Sequence, residues 1–568
     1  MEKENSKKQK EVPVQSFVSK KSVMLKKDAK LRKEVLNAAQ RYAEELKSLD
    51  NKETKIHVNE VTSQVAKFYE KVRKVIDWKD DNALRRGAIE RILKRKLFPK
   101  LVSGSFKKED SLQLAQTITQ ELIRGGHLPN HEIPKSRIDD VSKVLTKYLI
   151  MLQRVITSSE IKSVKKGNNA TTFIMELATC EIEEILARPV KEYEIINAMT
   201  TIMNDRIKII PPSKLTDDVK LDLIKVSVQR TLYHLDNDYI IYTYLRRKYP
   251  DWDNFSDEQY VWFADNILSI KELSEKYINS KIARRFDGVT EQYSTVFMLF
   301  DDALESLKNN PDNMVDTVKS GDHLLPLIKE CYLKRVSTLK TRLKNSAIFS
   351  TLSVILTNFV TFFLIEVPVA KLFYEGFNTI ATVVDFLLPA LVMFLLIAFI
   401  KPPPDDNLDK VFSACADLLF EDTEYEPIEL KISESGSKLS KVLLNISYML
   451  LTILLFTSIG YLFYIAQLPM TSVVYDTFTI ALTFYAALGV RKKSKELYIG
   501  ESTTFKDLIF DAFTVPVARV GEYLSSKWRE YNVAATFTNY LVEIPFAALL
   551  DFIDLWSNFL KERRSEIS

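Results

Sequence analysis

The chain has 568 residues, which allows three or four domains at about 150 residues per domain. Its 79 basic and 75 acidic side chains give a net charge of +4, and this near-neutral balance argues against nucleic acid as a partner. Glycine occurs 13 times, whereas ordinary usage of about 7% would give about 40. Because sandwiches, barrels and doubly wound folds need glycine in their turns, the count predicts an all-α fold.

The N-terminal segment, residues 1–55, is predicted to be a basic tail followed by a first helix. Residues 1–33 contain eleven Lys or Arg side chains and four acids, and they lack an apolar run. A secretory signal peptide needs such a run after its basic end, so none is expected here.

Two helical blocks follow, predicted as cytoplasmic domains at residues 56–162 and 171–345. Apolar residues at Val58, Val61, Val65, Phe68 and Val72 are spaced by three and four, which is typical of one face of a helix. The polar stretch SVKKGNN predicts a linker at residues 163–170 between the two blocks.

A basic helix is predicted at Arg85–Lys100, where seven basic residues surround the single acid Glu90. Such a helix can bind anionic lipid headgroups, and it can equally be a solvated face beside acidic partners in the same domain. The second interpretation is favoured. The residues that would contact lipid under the first are Arg85, Arg86, Arg91, Lys94 and Arg95.

Four long apolar runs occur late in the chain, and together they define a transmembrane region at residues 346–490. Each is about twenty residues or longer, which is the length that a helix needs to cross a hydrocarbon core of about 30 Å. The alternative is a buried helix in a soluble core, but such helices are usually shorter. The predicted spans form two hairpins, at residues 346–365, 378–400, 442–468 and 470–490.

The orientation of these spans follows from the distribution of Lys and Arg. Basic residues are frequent before the first span, in the loop at residues 401–441 and after the last span, whereas residues 366–377 contain only Lys371. Cytoplasmic loops are enriched in Lys and Arg, so both termini and the 401–441 loop are predicted to be cytoplasmic. The localisation expected is the inner membrane, with the lipid bilayer as a partner.

Two acids, Asp385 and Asp476, interrupt the predicted spans. Ionisable residues inside a membrane are costly, and they mark candidate ion or substrate pathways. However, Asp385 is sixteen residues from Lys401 and Asp476 is fifteen from Arg491, so both lie toward the outer leaflet. A polar residue at the outer interface is therefore an equally good interpretation of each acid.

The C-terminal segment, residues 491–568, is predicted to contain amphipathic helices. The stretch Val533–Lys561 has a wide apolar face, and its narrow polar face carries three acids that argue against a fifth span. The face is expected to dock against protein, either a second copy in a homo-oligomer or another membrane or cytoplasmic protein. Its predicted docking residues are Phe537, Leu541, Ile544, Phe552, Leu555 and Phe559.

Four segments support a resemblance over residues 60–420. They are AIERILKRKLF (88–98), ELIRGGHLPNHEIP (121–134), IEVPVAKLF (365–373) and DFLLPALVMFLLIAFIKPPPDDN (385–407). This stretch resembles a group of uncharacterised multi-pass membrane proteins from ultrasmall bacteria. The resemblance implies a bacterial inner membrane, and it carries over no activity and no catalytic residues.

The sequence contains none of the common nucleotide-binding, hydrolase or zinc-protease motifs. No catalytic, metal-binding or cofactor-binding residue is predicted, and no cofactor is expected. The first hypothesis is therefore a non-enzymatic scaffold or envelope assembly factor that acts through its cytoplasmic helices. The alternative is an oligomeric channel or transporter for ions or small solutes, suggested by the four spans and their two acids.

Overall fold

The computed structural model describes most of the chain between residues 30 and 530. The described residues are 30–48, 55–56, 81–102, 110–157, 164–211, 215–361, 363, 368, 379–421, 427–431, 438–465, 470–499, 505–530, 552, 556 and 559. They are mostly helical, so the predicted all-α class is confirmed. Two short strands, Ile207–Ile210 (β1) and Ile428–Lys431 (β2), are the exception among these residues.

The helices before the apolar region are short to medium in length. In chain order they are Lys33–Ser48 (α1), Asp81–Val102 (α2), Asp110–Arg124 (α3), Ser136–Thr157 (α4), Val164–Leu186 (α5), Val190–Arg206 (α6), Asp217–Leu232 (α7), Asn237–Lys248 (α8), Asp257–Asp265 (α9), Ile267–Ile278 (α10), Lys281–Ser306 (α11) and Pro311–Lys319 (α12). A 3₁₀ turn, Trp252–Asn254, lies between α8 and α9.

The later helices include the apolar ones. They are Gly321–Thr361 (α13), Thr379–Ala398 (α14), Asn407–Leu419 (α15), Lys438–Ile465 (α16), Met470–Ser494 (α17) and Phe505–Glu530 (α18).

The helices before the apolar region bury two hydrophobic cores. The first core joins α2–α5 with α8–α10. The second core joins α1, α6, α7, α11, α12, the first half of α13, α15 and β2. Together these elements form one helical body. The chain starts in the second core with α1, enters the first with α2–α5, returns to the second with α6 and α7, enters the first again with α8–α10, and ends in the second.

This arrangement differs from the predicted linker at residues 163–170. Helix α5 begins at Val164, and Ala170 and Phe173 are already buried in the first core. Residues 164–169 of the SVKKGNN stretch form the first turns of that helix, where the polar side chains of Asn168 and Asn169 are exposed. Polarity alone therefore misplaced a boundary, because the chain changes core only after Leu186.

A buried ionic network holds the 3₁₀ turn against the first core. The Lys147 ammonium lies 2.8 Å from a Glu181 carboxylate oxygen, and both side chains are almost fully buried. Tyr148 and the Trp252 indole also donate hydrogen bonds to Glu181, at 2.7 and 3.0 Å. Burial lowers the pKa of Lys147, although the adjacent Glu181 carboxylate opposes the shift.

The two strands connect distant parts of the chain. β1 pairs in parallel with β2, and Ile207 lies opposite Ile428 while Ile210 lies opposite Lys431. β1 directly follows α6, whereas β2 lies in the segment predicted as the 401–441 loop. The predicted loop is therefore folded onto the body, with Leu430 buried in the second core.

Two described helices are long and apolar enough to cross a membrane, instead of the four that were predicted. They contain the stretches Asn445–Ile465 and Val473–Ser494, with mean hydropathies of 1.9 and 1.5. The predicted span at 378–400 corresponds to α14, whose apolar stretch is the shorter Leu387–Ala398. The predicted span at 346–365 overlaps the last part of α13, which ends at Thr361. Most of residues 362–378 lie outside the described residues.

Helix α16 is not a core helix of the body. Only 6% of the apolar stretch of α16 is buried, and 28% of that of α17. Leu443, Leu454 and Leu462 of α16 are all more than 60% exposed. A water-soluble fold rarely exposes an apolar surface of this extent, so the alternative of a buried core helix is wrong for α16.

Removal of the Glu181 carboxylate tests the buried network. Glu181→Ala leaves the Lys147 ammonium buried without its counter-ion, which should lower the free energy of unfolding of the body by about 3–5 kcal/mol. The measurement is chemical unfolding of the purified chain in detergent, followed by circular dichroism. The matched control is Glu272→Ala on the exposed side of α10, which should change the value by less than about 0.5 kcal/mol. Equal effects of the two variants would contradict the network.

Candidate functional site at the junction of the body and the apolar helices

Helix α13 joins the helical body to the apolar region without a break. Its first half packs in the second core through Leu324, Ile328 and Leu339. Its second half, from residue 346 onward, has exposed apolar side chains such as Ile348 and Phe349. Because one continuous helix carries both halves, the body has a defined position relative to the start of the apolar region.

Arg335 of α13 connects two further elements at this junction. Its guanidinium pairs with Asp302 of α11, and a second nitrogen lies 3.0 Å from a carboxylate oxygen of Glu496. Glu496 follows α17 by two residues, so this contact binds the end of the last apolar helix to the body. The Thr295 hydroxyl of α11 supports it by donating to the Glu496 carbonyl oxygen at 2.8 Å.

Asn407 is the buried polar centre of the junction. Its amide nitrogen donates to the Tyr332 hydroxyl at 3.0 Å and to the Leu497 carbonyl oxygen at 2.8 Å. Its amide oxygen accepts from the Ile499 backbone N–H at 3.3 Å. One side chain at the start of α15 therefore links α13 to the segment after α17, and only an amide offers both donors and an acceptor in this geometry.

The far end of α15 is also bound to the body. The Arg206 guanidinium donates to the Asp417 carbonyl oxygen at 2.6 Å. Backbone hydrogen bonds connect Arg32 to Leu419 and Glu421 to Lys30, at 2.8 and 2.9 Å. The connection between α14 and α16 is thus fixed at both ends of α15 and again at β2.

A cavity of about 450 Å³ lies at the same junction. Its walls come from α11, α13 and the segment after α17, and they carry charges of both signs. This volume is within the range of small-molecule sites. The lining includes Asp302, Glu330, Cys331, Lys334, Arg342 and Leu497.

The apolar helices pack against one another in two small clusters. Phe463 of α16 and Ile480 of α17 form one cluster, with Leu388 of α14 against it. Met393 and Ile397 of α14 form the other with Ala487 of α17. α17 therefore lies between α14 and α16, and α13 borders the second cluster through Ala347 and Val354.

The structure describes the side chain of only one of the two acids in the predicted spans. Asp476 is completely buried within α17, rather than exposed at a surface. Asp385 lies in α14, and its side chain is outside the described residues.

The basic helix α2 directs its first two arginines into the body. Arg86 is buried, 2.8 Å from a Glu183 oxygen and 2.7 Å from an Asp236 oxygen. Burial disfavours its charge, but Glu183 and Asp236 raise its pKa above the usual range. Arg85 lies 3.6 Å from Glu183 and donates to the His127 carbonyl oxygen.

The other predicted lipid-contacting residues also have partners within the body. Arg95 pairs with Glu121 of α3, and Lys94 pairs with Glu90 one turn earlier. The end of the Arg91 side chain lies beside Gly87. Arg86 and Arg95 thus lie next to acidic partners in the body, but Arg86 is buried rather than on a solvated face.

The predicted docking face of the tail is described at two of its six residues. Phe552 and Phe559 are exposed, and the ring of Trp556 stacks against both, with centroids at 6.3 and 5.8 Å. The predicted residues Phe537, Leu541, Ile544 and Leu555 lie outside the described residues.

Comparison with protein-family models, with curated protein sequences and with solved structures finds no match for this chain. In the part of the chain that the structure describes, no group of three or more His, Cys, Asp or Glu residues could hold a metal ion.

The sequence pattern alone does not predict the residues that build the junction. Arg335 is one of several basic residues before the first predicted span. A local signal existed at Asn407, because an asparagine in a Pro- and Asp-rich stretch is typical of a helix start. Its contacts with Leu497 and Ile499 span about ninety residues and have no local signature.

Asn407→Ala tests whether this residue holds the junction together. The substitution leaves the Leu497 carbonyl and the Ile499 N–H without their partner, which costs about 1–3 kcal/mol for each buried group. We expect faster hydrogen–deuterium exchange in residues 407–419 and 496–499, with little change in the first core. Asp409→Ala, on the exposed side of the same helix, is the control and should leave both segments protected. If Asn407→Ala exchanges like the parent, the junction does not depend on this amide.

Proposed function

We propose that the chain is an integral membrane protein that holds its helical body against the cytoplasmic face of a bacterial inner membrane as a non-enzymatic scaffold. The observation that carries this proposal is the junction. The body binds the start of the apolar region through α13, the segment after α14 through Asn407, and the segment after α17 through Arg335.

The same contacts support four spans. The body, α15 and residues 496–499 are packed together, so they lie on one side of any membrane that the chain crosses. The chain must then cross an even number of times between residues 345 and 401, and again between 441 and 491. α16 and α17 supply the second pair, while α13 and α14 supply helical parts of the first. The two-hairpin arrangement satisfies this condition, with the N-terminal body and the 401–441 segment cytoplasmic.

The lipid bilayer is the first partner in this proposal. The exposed apolar surface of α16, where Leu443, Leu454 and Leu462 project outward, is of the kind that acyl chains cover. Further partners would be a second copy of the chain or other membrane and cytoplasmic proteins. The exposed aromatic residues Phe552, Trp556 and Phe559 support a protein contact of the tail.

Cysteine labelling in intact cells tests the topology. Cysteine introduced at Glu375 or Pro469 should react with a membrane-impermeant maleimide, because both positions lie in the proposed outer connections. Cysteine at Glu424 should react only after the cells are permeabilised. The native cysteines Cys180, Cys331 and Cys415 are all buried in the body, so the parent chain provides a low background. Labelling at Glu424 in intact cells would refute the four-span topology.

Charged substitutions in the tail test the scaffold assembly. Phe552→Asp or Leu555→Asp would place a carboxylate in an apolar contact, which is costly without a partner. We expect either change to shift the oligomer toward smaller species in size-exclusion chromatography in mild detergent. Asp554→Ala, on the predicted polar face, should behave like the parent. An unchanged elution profile for all three variants would contradict docking through this face.

A second candidate function is an oligomeric channel or transporter, and the burial of Asp476 favours it. Asp476 is buried in α17, and ionisable residues inside a membrane often mark ion or proton pathways. Asp385 of α14 would be its counterpart in the neighbouring hairpin.

Flux measurements in liposomes distinguish the two functions. If Asp476 serves a pathway, the parent should conduct protons or a common ion, and Asp385→Asn combined with Asp476→Asn should abolish this flux while the protein stays folded. Asp409→Asn is the control on the body. A parent chain without measurable flux would reject the channel hypothesis and leave the scaffold.

A further inference from the structure

Helix α18 is in backbone contact with the apolar helix α17. A Cβ atom added to Gly521 would lie 2.1 Å from the Ala481 carbonyl oxygen and 2.9 Å from the Tyr485 Cβ atom. No side chain larger than that of glycine fits at this position without moving one of the helices. Ala481 is itself fully buried, and it lies eight residues inside the apolar stretch Val473–Ser494.

A second contact fixes the direction of α18. Arg491, near the end of α17, pairs with Asp511 and lies 4.7 Å from the centre of the Phe510 ring. The contact positions are ten residues apart on each helix, and they occur in opposite order along the chain. The two helices are therefore antiparallel over about 15 Å, at 1.5 Å per residue.

This alignment carries α18 along the apolar stretch of α17 rather than away from it. α18 has 26 residues, which correspond to about 39 Å of helix. The twenty residues from Asp511 to Glu530 alone correspond to about 30 Å, the thickness of a hydrocarbon core.

The two sides of α18 differ in the way expected for a helix between protein and lipid. Thr514, Ala518 and Gly521 are small or short and buried, and small residues allow close helix packing in membranes. Ile509, Phe513 and Tyr523 are 43%, 53% and 62% exposed. This exposed apolar surface lies next to that of the neighbouring helices α16 and α17.

The charges of α18 explain why hydropathy does not identify it. A charged residue near the centre of a spanning helix raises the free energy of membrane insertion by roughly 2.5–3.5 kcal/mol. Arg519 and Glu522 therefore lower the mean hydropathy of α18. In the folded protein the Arg519 guanidinium lies 5.5 Å from the centre of the Tyr448 ring of α16. Asp511 is neutralised by Arg491. Arg519 and Asp511 therefore have partners on neighbouring helices, whereas Glu522 is exposed next to Gly521.

We propose that α18 is a fifth membrane-crossing helix. The Arg491–Asp511 pair marks its cytoplasmic end, its small-residue side packs on α17, and its exposed apolar side contacts lipid acyl chains. Residues 531–532 then lie on the outer side, so the segment 491–568 is not a wholly cytoplasmic tail. This inference rests on the membrane placement of α16 and α17 proposed above.

Labelling of Asn532→Cys in intact cells tests the crossing, with Pro469→Cys and Lys495→Cys as outer and cytoplasmic references. We expect the impermeant maleimide to label Asn532→Cys and Pro469→Cys but not Lys495→Cys. Labelling at Pro469 without labelling at Asn532 would overturn the fifth span and leave the four-span proposal intact. Absence of labelling at Pro469 that appears on permeabilisation would overturn both, because the placement of α16 and α17 would then be wrong.

A matched pair of glycine substitutions tests the helix contact itself. Gly521→Ala should separate α18 from α17, lower the thermal midpoint in detergent and reduce the labelling of Asn532→Cys. Gly489→Ala in α17 should have little effect, since no atom lies within 4 Å of its added Cβ. Equal behaviour of the two variants would overturn the close packing on which the crossing depends.

Discussion

The contact between the helical body and the ends of the apolar helices is the constraint on which the rest of the architecture depends. Asn407 and Arg335 connect three segments that are far apart in the chain, namely α13, the start of α15 and residues 496–499. With these segments held together, the apolar helices must leave the body and return to it. Hydrogen bonds to the buried Asn407 amide suit this role, because leaving a buried partner unpaired costs about 1–3 kcal/mol.

The body uses buried charge in a second place, around Glu181. That carboxylate accepts from Lys147, Tyr148 and the Trp252 indole, so one acid orients three side chains from two parts of the first core. A buried ion pair adds little net stability compared with apolar residues of similar volume. Removing only one partner, however, strongly lowers the free energy of unfolding, because the other charge stays buried without a counter-ion. We infer that these pairs specify how the helices are arranged, since aliphatic contacts alone tolerate many arrangements.

The apolar helices follow a different physical rule from the body. In the body, apolar side chains are inside, and the charged residues pair across helix surfaces, as Arg86 does with Glu183. In α16 the apolar residues are outside, whereas in α17 the carboxylate Asp476 is inside. This inversion is what a lipid solvent would favour, and it gives the proposed membrane placement a basis beyond the length of the apolar runs.

The sequence by itself determined the helical class, from the scarcity of glycine, and the positions of the most apolar helices, from runs without charge. These are local properties, because turn formation and partition into an apolar phase depend on neighbouring residues. Tertiary structure alone decided the boundary of the first core after Leu186, the packing of residues 407–421 and 427–431 onto the body, and the burial of Arg86. It also decided the packing of α18 against α16 and α17. Arg519 and Glu522 lower the mean hydropathy of α18, so its sequence does not predict this packing. Each of these features depends on which helix surfaces pack together. A periodic pattern in the sequence predicts the apolar face of a helix but not the helix against which that face packs.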